Sequence, residues 1–301
     1  MKKKIYIAGC GGMLGSAFYN VFNKDYNLKC TDINVNENWL SFLDFRNLKD
    51  YSDDVQSFKP DYLLHLGAIT DLEYCELNKE ETYDSNTLSV INAVKIANNL
   101  KIPLLFISTA GIFDGKKNYY DESDKPNPIG YYAKTKYLGE KYVINNIANY
   151  LICRAGWMMG GGIKKDKKFV NKIMKQISEG RSILNIVDDK FGTPTYTIDF
   201  AKNMKLILEN QLWGLYNLVC EGETGRLDVT KEILRILNLE NSIKIKPVNS
   251  DFFKKDYFAL RPNSEILINK KLNDLSLNRM RNWKICLREY INEHYGEFIK
   301  K

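Results

Sequence analysis

Ile5-Tyr6-Ile7-Ala8-Gly9-Cys10-Gly11-Gly12-Met13-Leu14-Gly15 decides how the rest of this chain is read. Lys2, Lys3 and Lys4 precede a short apolar run that ends in Ile7-Ala8-Gly9-Cys10, the spelling of an exported, lipid-anchored start. The same letters spell Gly9-x-x-Gly12-x-x-Gly15, a glycine-rich turn between a strand and a helix. A signal peptide needs an apolar core of roughly 7–15 residues. Only five residues separate Lys4 from Cys10, and one of them is Tyr6, so the turn is the expected reading. Ile5-Tyr6-Ile7 supplies the strand, and Met13-Leu14, Ala17-Phe18 and Val21-Phe22 recur with the period of a helix. In such a turn Gly9 permits the tight bend, Gly12 lets the backbone approach a pyrophosphate, and Gly15 lets helix and strand pack closely. The phosphates would sit on free N–H groups at the helix start.

The composition agrees with a folded enzyme-sized chain. Its 301 residues suffice for one large domain or two lobes sharing a core, and nineteen tyrosines and a high apolar fraction exclude a disordered polymer. The net charge of +7 comes without a Lys/Arg block recurring on one helix face, so an anionic small molecule is a better partner than nucleic acid. Lys164-Lys165-Asp166-Lys167-Lys168 is the densest basic cluster; it reads first as a solvated loop and second as a phosphate contact. Six cysteines (10, 30, 75, 153, 220 and 286) stand singly, without a CxxC pair. With only His65 and His294 beside them, no metal site is expected, and the thiols point to a reduced, cytoplasmic compartment. No apolar stretch approaches the ~20 residues that span a bilayer.

Downstream, Leu28–Asp32 reads as a second strand ending in an acid 23 residues after Gly9, where a carboxylate can hold adenosine ribose hydroxyls. Leu40–Asp44 is a short strand with an acid at its exit. Pro60–Ala68 is a buried strand followed by the small stretch Leu66-Gly67-Ala68, suited to packing against a cofactor. Ile102–Ser108 and Tyr150–Arg154 are further apolar strands separated by helical patterns. Strands alternating with helices predict an α/β fold: a doubly wound parallel Rossmann sheet whose ligands bind at the carboxyl ends of the strands.

Two segments at that edge carry chemistry. One strand delivers Ser108-Thr109. The other segment, Gly130–Lys136, opens a helix holding Tyr132-x-x-x-Lys136, an i,i+4 pair on one face. A neighbouring ammonium lowers a phenol from its usual pKa near 10 toward a useful acid/base range, and Thr109 can hold a carbonyl oxygen. Tyr137-x-x-x-Lys141 also fits the spacing, but lies about 140° round the helix; Tyr132 in the first turn is the preferred acid.

This ordered set resembles the extended short-chain dehydrogenase/reductases, and within them is most similar to the dTDP-4-dehydrorhamnose reductases, almost end to end. Asp44-Phe45 matches an adenine-side Asp-Phe/Leu, and Ser108-Thr109 with Phe113-Asp114-Gly115 is similar to Ser-Thr-Asp-Tyr-Val-Phe-x-Gly. Tyr132–Glu140 is similar to Tyr-Gly-x-Thr-Lys-Leu-Ala-Gly-Glu, and Arg154-Ala155-Gly156-Trp157 to Arg-Thr-Ser-Trp. Asp188–Thr195 follows Asp-Gln-x-Gly-x-Pro-Thr, Arg261-Pro262-Asn263-Ser264 resembles Arg-Pro-x-Asn-Ser, and Asn282-Trp283 matches a closing tryptophan. The resemblance implies NADH- or NADPH-dependent reduction of a 4-keto group on a nucleotide-linked 6-deoxysugar. It assigns catalysis to Thr109, Tyr132 and Lys136. The expected cofactor contacts are Gly9, Gly12, Met13, Leu14, Gly15, Asp32, Ile33, Asp44, Phe45, Leu66, Gly67, Ala68, Asn86 and Ser108, with Tyr132 and Lys136. Substrate contacts are expected from Tyr74, Gly111, Trp157, Met159 and Arg261, the last at the diphosphate. Residues 1–157 with about 192–217 are expected to form the dinucleotide-binding domain, and 158–191 with 218–301 a smaller α/β substrate lobe. A homodimer is compatible with the resemblance.

Departures cluster on the substrate side. The family's Asp-Tyr after the threonine is Ala110-Gly111 here, its Val-Asp-Lys is Leu72-Glu73-Tyr74, its tyrosine after Trp-Val is Met159 within Met158–Gly162, and its Asn is His65. A retained reaction on a changed sugar or nucleotide is the expectation. Two alternatives stay open: a nucleotide-sugar epimerase with tightly held NAD, and a nucleotide-binding regulatory subunit like the related methionine adenosyltransferase β subunits.

Overall fold

Strands and helices alternate through the first half of the chain, and their order builds the sheet. A computed structural model describes residues 2–296; residue 1 and residues 297–301, the outer ends of the two expected lobes, lie outside the described residues. In order come β1 (Lys4–Ala8), α1 (Met13–Phe22), β2 (Asn27–Asp32), β3 (Leu40–Phe42), α2 (Leu48–Phe58) and β4 (Tyr62–His65). Then follow α3 (Leu72–Leu77), α4 (Lys79–Tyr83), a π-helical turn (Asp84–Leu88), α5 (Ser89–Leu100), β5 (Leu104–Thr109), α6 (Tyr131–Asn146) and β6 (Tyr150–Ala155).

These strands and a later one form a seven-stranded sheet. Further on lie β7 (Trp157–Met159), α7 (Gly162–Lys165), α8 (Phe169–Ser178), β8 (Ile183–Val187), β9 (Phe191–Gly192), β10 (Pro194–Tyr196), α9 (Thr197–Glu209) and β11 (Gly214–Asn217). The sheet order is β11-β6-β5-β4-β1-β2-β3, with every neighbouring pair parallel. The doubly wound reading of the sequence is therefore correct. Parallel strands covered on both faces must be apolar on both, and β1, β4 and β5 are. Ile5, Ile7, Leu64 and Leu105 pack with Phe18, Phe22 and Phe200 on one side. Tyr6, Leu63 and Phe106 pack with Tyr51, Val90 and Val94 on the other. Each such side chain, fully withdrawn from water, contributes roughly 1.5–3 kcal/mol, so both helical layers are held by the strand pattern itself.

One boundary differs from expectation. β3 stops at Phe42, so Asp44 lies beyond the strand, where Arg46 takes its carboxylate in an ion pair (Nη2 to Oδ2 2.7 Å). Asn47 then caps α2, its side chain accepting from the N–H groups of Lys49 and Asp50, and turns the chain away from the sheet.

The remaining chain adds β12 (Thr224–Gly225), α10 (Arg226–Ile236), β13 (Lys244–Val248), β14 (Ser264–Glu265), α11 (Lys270–Asp274) and α12 (Trp283–His294). Among the described residues three small sheets, β10-β7, β12-β9-β14 and β13-β8, lie outside the large one. Among the described residues no helix is long and apolar enough to cross a membrane. The strand order reverses between β1 and β4, and at such a switch point the carboxyl ends of the strands leave a crevice.

Candidate active site

The crevice begins at the glycine turn. Gly9 has φ +79°, and a Cβ there would collide with the backbone of Gly67 at the end of β4. Only glycine allows both the left-handed bend and that approach. Gly15 lies so close to the Cys10 carbonyl that a side chain would drive α1 off β1. At Gly12, by contrast, a Cβ would meet nothing within 4 Å, and no side chain caps α1. Uncapped N–H groups at a helix start, facing open space, make an anion site. At the next strand end, Asp32 accepts from the Gly11 and Asn34 N–H groups, both at 2.8 Å. That fixes the carboxylate beside the turn. Ser108 is buried with a hydroxyl that has no hydrogen-bond partner among the described residues. A buried unpaired hydroxyl is costly. The open position at Gly12, the uncapped helix and this orphaned hydroxyl fit a dinucleotide lying from Asp32 to β5.

Not every expected contact faces the crevice. Phe45 is buried with its ring against Gly67 and edge-on to His65, beneath the turn. Ile33 is exposed. Asn86 is wholly buried: Oδ1 accepts from Ile69 N–H (2.8 Å), and Nδ2 donates to Ile69 O (3.0 Å) and Thr135 Oγ1 (3.3 Å). It therefore ties the loop after β4 to α6 rather than offering its amide to a ligand. His65 is held neutral: burial, with Lys136 nearby, pushes its pKa down to about 3. Ser89 donates to Ser85 O (2.6 Å), so its oxygen accepts from His65 Nε2 (3.1 Å), and Tyr51 donates to Nδ1 (3.3 Å).

β5 carries Thr109 to the sheet edge, where its Oγ1 accepts from Gly111 N–H (3.2 Å) and its hydroxyl acts on the Tyr132 phenol from the first turn of α6. Lys136, one turn on, is 4 % exposed, with Nζ 4.3 Å from the centroid of the Phe106 ring. The electrostatics differ from the expected ones. Burial pushes the Tyr132 phenol up, the Thr109 hydrogen bond opposing it, and no lowering by Lys136 accompanies them. Burial also pushes Lys136 down to about 7, with Glu140 pulling the other way. Desolvation outweighs mutual attraction because each charge would stand in apolar surroundings. Glu140 is itself committed to Arg154 in a buried bidentate pair (2.6 and 3.1 Å). The rival Tyr137–Lys141 pair makes only a cation–π contact (5.6 Å), with Lys141 exposed.

On the substrate side the structure corrects three expectations. Met159 is 2 % exposed and part of the core, because β7 pairs with β10 and buries it. Tyr74 turns away and donates to Glu81 on α4. Arg261 is claimed by Glu73, in a bidentate pair with Nη1 at 2.8 Å and Nη2 at 2.9 Å. Gly111 lies beside the Thr109 hydroxyl, and Trp157 meets that space through Glu265. A Cβ at Gly111 would lie 3.6 Å from Thr109 Oγ1, and Trp157 donates its indole N–H to Glu265 Oε2 (2.7 Å).

Two charged residues were missed. Glu265 follows the Arg-Pro-Asn-Ser segment and Arg226 opens α10, but each reaches the site only through the fold. Arg226 stacks on Trp157 (3.6 Å) and Phe169 (4.6 Å), and burial pushes it down to about 10, Glu265 opposing and Arg261 adding to the effect. The basic cluster is not a solvated loop throughout. Lys165 bonds Ser16 Oγ (2.6 Å) and Glu37 (2.8 Å), and Lys168 bonds Thr70 O and Oγ1 (both 3.1 Å). Gly161 packs against Met13 Cα, so this segment folds over the start of α1.

Comparison with known proteins agrees with this geometry. The chain is 32% identical to a dTDP-4-dehydrorhamnose reductase of Yersinia enterocolitica of known structure, at a TM-score of 0.87 over 97% of this chain and 99% of that one. A Bacillus anthracis dTDP-4-dehydrorhamnose reductase, solved in complex with NADP, is 25% identical at a TM-score of 0.88, covering 97% and 100%. The curated dTDP-4-dehydrorhamnose reductase of Aggregatibacter actinomycetemcomitans is 26% identical over 296 residues, 95% of this chain and 97% of the relative. The model of one family, described as the RmlD substrate binding domain, matches residues 2–295. With sheet, glycine turn and Thr109–Tyr132–Lys136 set all in that frame, the chain belongs to the RmlD substrate-binding domain family.

Proposed function

We propose that this protein is an NAD(P)H-dependent oxidoreductase that reduces the 4-keto group of a nucleotide-linked 6-deoxysugar. The observation that carries the proposal is the Thr109–Tyr132 hydroxyl pair at the carboxyl edge of the sheet, with Lys136 one helical turn away and the glycine turn opening onto the same crevice. The reductases named above support it. A bound nicotinamide coenzyme supplies the hydride. Thr109 holds the ketone oxygen, and Tyr132, kept protonated by burial, donates its proton there. Gly12 and the uncapped start of α1 hold the diphosphate, Asp32 the adenosine ribose, and Ser108 a polar atom of the coenzyme. Lys136, in its protonated form, offsets the phenolate charge left on Tyr132 when the proton leaves.

Residues 1–157 with about 192–217 serve the coenzyme in this reading, supported by β11 standing at the sheet edge beside β6. Residues 158–191 and 218–301 serve the nucleotide sugar. Six free cysteines, all buried, suit a cytoplasmic site of action. The test is oxidation of NADH or NADPH against 4-keto-6-deoxy sugars on dTDP, GDP, UDP and CDP. Tyr132→Phe is expected to abolish turnover while coenzyme binding persists; full activity in that variant would refute the assignment.

A further inference from the structure

We propose that Glu265 is the specificity residue of the substrate pocket, its free carboxylate oxygen accepting a hydrogen bond from a donor on C3 of the sugar, beside the keto carbon. The inference rests on the 4-ketoreductase reading above and names the substrate class more narrowly.

Three elements build the position. β14 pairs with β9 so that Glu265 lies opposite Gly192, and the missing side chain at Gly192 leaves room for the Trp157 indole. Trp157 donates to Glu265 Oε2 (2.7 Å), and Arg226 lies on the face of the same indole at 3.6 Å. The carboxylate is thus oriented by a side chain that is itself clamped. Its other oxygen, Oε1, has no hydrogen-bond partner among the described residues and points to Gly111. A Cβ at Gly111 would be 3.3 Å from Glu265 Oε1 and 3.6 Å from Thr109 Oγ1. One small volume therefore has the ketone-binding hydroxyl on one side and an unpaired carboxylate oxygen on the other. Gly111 carries no side chain, so the space beside the threonine is open and faces the charge on β14.

The chemistry of the sugar selects the group that fits. With C4 at Thr109 and Tyr132, the neighbouring ring carbons are C3 and C5. In a 6-deoxysugar C5 carries a methyl group and the ring oxygen, neither of which donates. Only the C3 substituent, a hydroxyl or an ammonium, can satisfy Oε1. A charged acceptor aimed at a substrate donor discriminates strongly against an analogue lacking it, because the bound analogue then covers the carboxylate oxygen without pairing it.

Glu265→Gln tests this with little change of shape. The glutamine carbonyl oxygen is the one atom able to accept from the Trp157 indole, so the amide NH₂ must turn to Gly111 and the acceptor becomes a donor. The experiment measures kcat/KM of wild type and Glu265→Gln on matched 4-keto-6-deoxy substrates bearing hydroxyl, amine or hydrogen at C3. Wild type is expected to prefer a C3 donor over the 3-deoxy analogue by roughly 10–100-fold, the range of a hydrogen bond to a charged group. In the variant that ratio falls to within about 3-fold, with the amine affected most because ammonium then meets a donor. The hydroxyl and amine arms tell which donor the natural sugar carries. Gly111→Ala, which leaves the Trp157 contact untouched and fills the same volume, is expected to reduce the same ratio. An unchanged ratio in both variants, or equal losses on every substrate, would overturn the assignment of Glu265 while leaving the reductase standing. No turnover of any 4-keto sugar by the wild type would overturn the reductase reading, and this one with it.

Discussion

Replacing Lys136 with methionine should stabilise this protein, and by an amount that depends on pH. The ammonium is 4 % exposed. Its nearest favourable contacts are a cation–π approach to Phe106 and the charge of Glu140, which Arg154 already holds. A cation–π contact contributes up to about 2 kcal/mol when desolvated, less than the several kcal/mol lost on leaving water. Burial therefore wins, and the pKa falls from 10.5 to about 7. At about 1.4 kcal/mol per pKa unit, the charged form disfavours folding by roughly 5 kcal/mol at most. The sign follows from proton counts. Below pH 7 folded and unfolded chains both carry the proton and the whole penalty is present. Between pH 7 and 10.5 only the unfolded chain carries it, so stability rises with pH; above 10.5 the penalty is gone. Methionine is close in length, flexible and uncharged. The gain from Lys136→Met is thus expected to be about 2–3 kcal/mol larger at pH 6 than at pH 9. Urea unfolding of both proteins at the two pH values, without coenzyme, reads the difference directly, because other titrations cancel between them. A gain that is the same at both pH values within about 0.5 kcal/mol would show that Lys136 is solvated and refute the reasoning. The stabilised variant should also be inactive, the trade expected of a charge kept for chemistry.

The glycine turn separates folding from binding. Gly9→Ala should cost roughly 2–5 kcal/mol, since the residue must hold φ +79° against the Gly67 backbone; thermal unfolding checks this. Gly12→Ala should leave stability within about 1 kcal/mol yet weaken NADPH binding at least about tenfold, measured by fluorescence titration, because its methyl enters the open space over α1. Glu140→Ala strands the Arg154 guanidinium, 4 % exposed, without its counter-charge, and should lower stability by about 3–5 kcal/mol in urea titration.

Much of this molecule could be read from local sequence, for a physical reason visible in particular elements. A parallel strand buried on both faces must be apolar throughout, so Ile5-Tyr6-Ile7 and Leu104–Ile107 announce themselves. Gly9 is marked by its left-handed φ, Gly15 by the Cys10 carbonyl five positions earlier, and Gly12 by the uncapped helix start that it leaves open. Tyr132 and Lys136 share a face because an α-helix repeats every 3.6 residues. Each of these constraints is short-range, and the chain alone determined them.

The substrate side was not legible in that way. Met159 looked like a pocket residue until β7 paired with β10 and closed it into the core. Arg261 looked free for a phosphate, and Glu73, 188 positions away, holds it. Glu265 gave no signal, since its place beside Thr109 depends on β14 meeting β9 and on Trp157, 108 positions earlier, turning its indole toward it. The depressed Lys136 and raised Tyr132 likewise depend on what surrounds them, which spacing on a helix does not report. The sequence by itself determined the sheet, the glycine turn and the shared helix face of Tyr132 and Lys136, because periodicity and local backbone sterics encode them. Which charges meet, which are desolvated and which carboxylate oxygen is left without a partner only the tertiary structure decided, because those depend on contacts between segments far apart in the chain.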